Sequence, residues 1–181
     1  HIYSSSNRLN NLINDIIELH KLESVGGAFT VDQATPLDEI AEDIKSFYAE
    51  SSSKILVIET DSAKVRVLPE HLHSVLTNLI DNAFKYSEGE MIVAKIQRKG
   101  ENLQIIVDDQ GPQIEDTDRE RIFERFYTCS KSRNKQHSGT GLGLSIVKHI
   151  ANFYNGTVRL EPNSQAGNCF TVSLQEKRIP S

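Results

Sequence analysis

Asn78 and Asn82 stand four residues apart in the run NLIDNAFKYS, with Lys85 and Tyr86 just beyond them. On a helix that spacing puts both amides on one face. Two amide oxygens beside a lysine suit a hard cation such as Mg2+ shared with a phosphate, whose charge Lys85 would offset. The same pattern also fits a polar helix surface ended by a lysine. Further on, SGTGLGLSIVKHI sets Gly139, Gly141 and Gly143 against apolar positions 142, 144, 146, 147, 150 and 151. That periodicity is helical, and a helix mouth of bare backbone suits an anion, although a glycine turn can simply cap a helix. Between these runs, LQIIVDDQGPQI delivers Asp108 and Asp109 at a strand end beside Gly111 and Pro112. A carboxylate there can accept from an exocyclic amine, or it can be an ordinary polar strand end. RIFERFYT brings Phe123 and Phe126, which read either as core or as the anchor of the basic stretch TCSKSRNKQHS. Lys131, Arg133 and Lys135 in that stretch would make a lid over phosphates or a plain solvated loop.

These side chains need a frame. Residues 2–23 read as one amphipathic helix with a stripe of Leu9, Leu12, Ile13, Ile16, Ile17, Leu19 and Leu22. ESVGGAF ends it as a hinge. Phe29 to Val31 reads as a strand, and Pro36 to Tyr48 as a helix with Leu37, Ile40, Ala41, Ile44 and Phe47 inward. KILVIET and KVRVL read as strands, and Pro69 opens a helix carrying Leu72, Val75, Leu76, Leu79, Ile80 and Ala83. MIVAKIQRKGENLQIIVDD alternates as two strands turning near Gly100 and Glu101. A short helix over about 118–126, a helix over about 142–154 and a closing hairpin, GTVRLEPNSQAGNCFTVSLQ, complete the chain. The sum is an α/β two-layer sandwich, a mixed sheet with helices on one face, preceded by one bundle helix.

With 181 residues, 38% hydrophobic and 25% charged, the chain has the composition of a globular protein with one good core. Its formal charge of −5 supplies no basic field, which argues against nucleic acid as a partner. No run of 18 apolar residues and no signal peptide occurs. Cys129 and Cys169 read as ordinary thiols.

The order of the motifs resembles the ATP-binding catalytic domain of bacterial sensor histidine kinases, which shares its fold with gyrase, Hsp90 and MutL. HSVLTNLIDNAFKYS is similar to that family's asparagine motif, DDQGPQI to its first glycine motif, RIFERFY to its phenylalanine motif and GTGLGLSIVKHI to its second glycine motif. RLNNLINDIIELHKLES is similar to the second helix of the dimerisation and phosphotransfer domain. The resemblance implies a Bergerat-type ATP-binding fold with a mostly antiparallel sheet. It divides the chain into a partial bundle helix (1–24), a hinge (25–28), the catalytic domain (29–175) and a polar tail (176–181).

What the resemblance implies about roles falls on particular residues. Asp109 would accept from the adenine amino group, Gly111 would shape the turn beneath the base, and Tyr86 would lie against the adenine. Asn82 would hold Mg2+, with Asn78 close to the same metal, and Lys85 would contact the phosphates of ATP. Gly139, Gly141 and Gly143 would let lid and helix mouth close on the triphosphate. Ile114, Phe126, Thr140, Leu142 and Leu144 lie within the same motifs and complete the implied nucleotide contacts.

Two positions depart from the family pattern. Gln113 occupies the second glycine of the first glycine motif; if that site needs positive φ, glutamine costs about 1 kcal/mol or more. Thr128 stands where arginine often follows the phenylalanine motif, a loss that Lys131 or Arg133 would offset. No histidine has the family's phosphoacceptor context. The implied activity is therefore transfer of the γ-phosphoryl group of ATP to a histidine on a helix outside this chain, for onward passage to a response-regulator receiver domain. A homodimer partner is implied as well. The chain opens on HIYSSSNRLNN and reads as a cytoplasmic fragment of a membrane-anchored bacterial sensor. The alternatives are a degenerate nucleotide-binding or docking module, motivated by Gln113 and Thr128, and an ATPase of the gyrase or MutL type.

Overall fold

A computed structural model describes residues 10, 12–21, 33–49, 54–129, 140–164 and 167–176. Residues 12–21 form helix α1. There follow β1 (Thr35–Pro36), α2 (Leu37–Tyr48), β2 (Ile55–Thr60), β3 (Lys64–Val65), α3 (Pro69–Tyr86), β4 (Met91–Lys99) and β5 (Asn102–Asp109). A single 3-10 turn, Arg121–Phe123, precedes α4 (Gly143–Phe153), β6 (Thr157–Pro162) and β7 (Asn168–Gln175).

The main sheet has the order β2-β4-β5-β7-β6. Only β2 and β4 run parallel; the other three pairings are antiparallel. β1 and β3 form a small antiparallel ribbon. Alternation with a period of two turns Leu103, Ile105 and Val107 of β5 and Phe170, Val172 and Leu174 of β7 toward one face, where all are fully buried. The same alternation carries the next residues, Asp109 and Asn168, onto the buried face, and the register places them opposite each other.

Helices cover that face. α3 starts with Pro69 at its first position, where a missing N–H costs nothing, and it fully buries Leu72, Val75, Leu76, Leu79, Ile80 and Ala83. α4 buries Ile146, Val147, Ile150 and Ala151 beside it. The mixed, mostly antiparallel sheet with helices on one face is the two-layer sandwich that the sequence predicts.

Several boundaries differ from the sequence reading. α2 begins at Leu37, because Pro36 belongs to the β1 ribbon. Tyr48, not Phe47, is the inward aromatic of its last turn: the buried ring sends its hydroxyl to Asp81 Oδ1 at 2.6 Å. Phe47 stays 57% exposed and packs edge-on against Tyr48 and His73. KVRVL is strand only at Lys64–Val65. The helix expected over 118–126 is reduced to one 3-10 turn, because Glu124 is extended and Phe126 takes a φ of +62°. Glu176, assigned to the tail, is held by Arg98 at 2.6 Å and accepts from the Arg66 N–H. The strand expected at 29–31 and the hinge at 25–28 lie outside the described residues.

The stripe on α1 divides. Leu19 is buried and Leu12 packs against the core, whereas Ile13, Ile16 and Ile17 are about half exposed. Between α1 and the catalytic layer lies a cavity of about 550 Å³ lined in part by Ile17, Leu68, His71 and Phe153. No helix among the described residues is long and apolar enough to cross a membrane.

Candidate nucleotide site

α3 lies along the site and supplies its two ends. Asn78 is half-buried, and its amide Nδ2 donates back to the Ser74 carbonyl at 2.9 Å, which leaves the Oδ1 side turned to α4. There it meets Gly143: a Cβ on that glycine would lie 2.5 Å from Asn78 Oδ1. Gly143 therefore allows the two helices to approach. One turn on, the half-buried Asn82 amide has no hydrogen-bond partner among the described residues, so its oxygen is available to a ligand. Lys85 Nζ lies over the Tyr86 ring, 5.1 Å from its centroid, as a cation–π contact.

The mouth of α4 has no side-chain cap. Its first N–H groups, those of Gly143, Leu144 and Ser145, find no acceptor among the described residues. Orphan N–H groups together with the positive end of the helix dipole suit a phosphate. Gly141, just before, has a φ of +74°, and its carbonyl accepts from the Phe126 N–H at 2.8 Å. A Cβ there would lie 2.8 Å from Phe126 Cα. Gly141 is thus glycine for two reasons, its left-handed backbone and the absence of room. Thr140 Oγ1 accepts from the Leu142 N–H at 3.2 Å and donates to Asp15 of α1 at 2.7 Å. Leu142 is fully buried and Leu144 packs against the core, so both act as the hydrophobic root of the mouth. Phe126 is 64% exposed beside it, while Phe123 is core.

Beside the end of α3, Gly111 is wedged against the chain: a Cβ would lie 2.8 Å from the Tyr86 carbonyl oxygen. Asp109 is buried, and its Oδ1 accepts from the Gly111 N–H at 2.7 Å and from Asn168 Nδ2 at 3.1 Å. Burial pushes the Asp109 carboxyl above its ordinary range, and those hydrogen bonds partly oppose the shift. Both of these bonds fall on Oδ1, and neither on Oδ2. Ile114 packs against the core, and its N–H donates to Asn168 Oδ1 at 3.1 Å. Gln113 is exposed and does not have positive φ, so the strain considered from its glycine-motif position is absent.

The structure therefore gathers the sequence-predicted residues into two clusters bridged by α3. Tyr86, Asp109, Gly111 and Ile114 form one; Asn78, Phe126, Thr140, Gly141, Leu142 and Gly143 form the other, with Asn82 and Lys85 on the helix between. Lys131, Arg133 and Gly139 lie outside the described residues.

Sequence reasoning missed two residues. Ser87 is buried at the end of α3, and its hydroxyl accepts from the Gly89 N–H at 3.3 Å and the Gln110 N–H at 3.1 Å. Its carbonyl accepts from Lys54 Nζ. One serine thereby ties the asparagine helix to the end of β5. Asn168 was hidden in a hairpin rich in turn residues. The alternation of NCFTVSLQ was the available signal, because it puts this asparagine on the same face as Phe170, Val172 and Leu174.

Such a sandwich, with an uncapped helix mouth against the middle of α3 and a buried carboxylate beside its end, defines a nucleotide-binding domain. The family description "Histidine kinase-, DNA gyrase B-, and HSP90-like ATPase" matches residues 67–178, and the chain belongs to that family. Within it the similarity runs to histidine kinases. The sensor-like histidine kinase SenX3 of Mycolicibacterium smegmatis is 36% identical over 182 residues, covering 98% of this chain and 47% of SenX3. The sensor histidine kinase YcbM of Bacillus subtilis is 31% identical over 94% of this chain and 56% of its own length. The fold of Acinetobacter baumannii histidine kinase AdeS superposes with a TM-score of 0.77 at 21% identity, over 97% of this chain and 82% of that one. The chain thus spans about half the length of these curated relatives. It carries the ATP-binding catalytic domain of a histidine kinase.

Proposed function

We propose that this domain holds ATP along α3, with the adenine at Asp109 and the triphosphate at the mouth of α4, and passes the γ-phosphoryl group to a histidine on another helix. The observation that carries this reading is the pairing of two hydrogen-bonding sets along α3, one against its middle at Asn78 and one beside its end at Tyr86. Asp109 Oδ2 is an acceptor for an exocyclic amine, and the Gly143, Leu144 and Ser145 N–H groups are unengaged donors for phosphate oxygens. The amide oxygen of Asn82 suits magnesium, which takes few protein ligands and completes its shell with phosphate and water. Asn78 lies one turn before it on the same face, with its Oδ1 against Gly143 at the helix mouth. Bound magnesium would neutralise charge on the phosphates.

The chain's own contribution is positioning. Lys85 supplies positive charge beside Tyr86, Gly141 and Gly143 bring bare backbone to the phosphates, and Phe126 covers the site from the other side. In sequence Lys131 and Arg133 follow Thr128 and would supply the charge that it lacks. Phosphoryl transfer needs little covalent help, so this arrangement supplies most of what the reaction requires. The half-exposed Ile13, Ile16 and Ile17 fit a bundle with a histidine-bearing helix and a second copy of the chain. A receiver-domain aspartate would take the phosphoryl group onward. The domain would work on the cytoplasmic side of a longer sensor protein, where ATP is supplied.

Calorimetry with ADP and magnesium tests the pocket, with Asp109→Asn as the control; absence of heat at millimolar nucleotide would sink it. Acid-labile label from γ-labelled ATP, in a chain extended to include the histidine helix, tests the transfer. Binding without label would leave a nucleotide-sensing module.

A further inference from the structure

The cavity between α1 and the catalytic layer, about 550 Å³, falls within the size range of small-molecule pockets, roughly 300–1,000 Å³. Its apolar walls come from three elements: Ile17 of α1, Leu68 just before α3 and Phe153 at the end of α4. Water finds few polar partners against such walls. The aromatic wall is braced from behind. Phe153, His71 and the fully buried Tyr154 meet edge-on, with ring centroids 5.2 to 5.6 Å apart. The Leu68 N–H donates to the Tyr154 hydroxyl at 3.0 Å and fixes that group against the start of α3. Three charged residues also line the cavity: Glu18 and Lys21 of α1, and Glu70 in the first turn of α3. None of the three forms an ion pair among the described residues. Glu18 and Lys21 stand three apart on one helix, near enough to offset each other, which leaves Glu70 as the surplus charge.

We propose that this cavity is a binding site for a small aromatic molecule carrying an ammonium group. The ring would lie among Ile17, Leu68 and Phe153, where Phe153 and His71 offer aromatic packing. The ammonium would pair with Glu70. A molecule held this way touches α1 and the catalytic layer together, so it binds only while α1 is seated and holds it there. The same helix carries Asp15, whose bond to Thr140 reaches the mouth of α4. The ligand would thus strengthen a contact at the helix mouth without entering the nucleotide site. This inference goes beyond the nucleotide reading and does not depend on it.

The test is calorimetry of the full chain with 2-naphthylmethylammonium, and with 2-naphthylmethanol as a neutral match of the same shape. The native chain should bind the ammonium saturably at one site, about fivefold more tightly than the alcohol. Hydrogen exchange in residues 12–21 should slow when the ammonium is added. Ile17→Trp, at a position 47% exposed and so tolerant of change, should fill the cavity and abolish binding of both. Glu70→Gln should bring the ammonium down to the level of the alcohol and leave the alcohol unchanged. Glu70 is exposed on its helix, so this variant decides the matter if the tryptophan variant does not fold. No saturable binding, or binding unchanged in the folded variants, would overturn the proposal. So would tighter binding of 2-naphthoate than of the ammonium, or displacement of the probe by ADP, which would place it in the nucleotide site. A chain that binds the probe but not ADP would overturn the nucleotide reading alone.

Discussion

Thr140 donates its hydroxyl hydrogen to Asp15 Oδ2 at 2.7 Å, joining helix α1 to the mouth of α4. The carboxylate is desolvated by this packing, which raises its pKa, and the Thr140 bond partly offsets the shift. Leu12 and Leu19 of α1 also pack on the core, with the 550 Å³ cavity beside them. The polar contact adds a fixed point to that apolar seating. Asp15→Ala should weaken that seating by about 1–2 kcal/mol. Hydrogen exchange in residues 12–21 should then quicken about five- to thirty-fold, with the sheet unaffected. Unchanged exchange would show that the apolar contacts suffice.

Gly100 and Gly141 share a positive φ, +67° and +74°, but not their surroundings. At Gly100 an added Cβ meets nothing within 4 Å, whereas at Gly141 it would meet Phe126 backbone at 2.8 Å. Gly100→Ala should therefore cost only the left-handed strain, about 1 kcal/mol. Gly141→Ala should cost about 2 kcal/mol or more, because the clash is with backbone. It should also weaken nucleotide binding by parting Phe126 from the helix mouth. Urea denaturation of the two variants gives the comparison; equal costs would remove the steric half of the argument.

Asp109 combines its proposed role with a stability penalty. Its pKa in the fold lies above the ordinary 3.8, so the folded chain holds this proton more tightly than the unfolded chain does. The penalty grows as pH rises from about 3.8 through the folded value. Asp109→Asn can keep Oδ1 as the acceptor for Gly111 and Asn168. It should therefore melt higher than the native chain at pH 7, with the difference vanishing below pH 4, while binding ADP at least about tenfold more weakly. A lower melting temperature at pH 7 would contradict this.

The sheet and the long helix were legible because their signals are dense. In α3 each of Leu72, Val75, Leu76, Leu79, Ile80 and Ala83 falls on the helical stripe, and each is fully buried. In β5 the alternation runs unbroken into Asp109. Asn78, Asn82 and Asp109 could be picked out because polar residues interrupt those patterns at their ends. The choice between Phe47 and Tyr48 was not legible, since both fit the face and the tie is broken by Asp81, which arrives from another helix. Ser87 and Asn168 were obscure for the same reason. Their roles lie in bonds to residues far along the chain, and locally each is only a polar residue at an element's end.

His71 lies beside the cavity under α1. Leu68 N–H donates to the Tyr154 hydroxyl at 3.0 Å, and the same hydroxyl shares a hydrogen bond with His71 Nδ1 at 2.9 Å. Burial lowers the imidazole pKa from its ordinary 6.5, against a smaller opposing pull from Glu70. The fold thus favours neutral His71, and this contribution is complete above pH 6.5. It is lost as pH falls from 6.5 through the lower folded value, because the unfolded chain takes up the proton first. His71→Asn, whose amide can meet the Tyr154 hydroxyl in either role, should flatten the decline in melting temperature across that window. An identical decline in both proteins would assign it to other groups.

Gln113 gives the last prediction, because structure and motif point in opposite directions. A glycine motif suggests that returning Gln113 to glycine would relieve strain. Yet Gln113 has ordinary φ and an exposed side chain, and Asn168 clamps the backbone on both sides of it. There is no strain to relieve, and glycine would only enlarge the conformational freedom of the unfolded chain. Gln113→Gly should therefore destabilise the domain by about 0.5–1 kcal/mol and leave ADP affinity within about twofold of native. In the Asn168→Ala background the turn has lost its clamp, so the folded chain also gains freedom at position 113 and glycine should cost less there than in the native chain. Urea denaturation of the two single variants and the double variant measures this coupling. A stabilising Gln113→Gly, or strictly additive costs, would show that the Asn168 amide does not hold this turn.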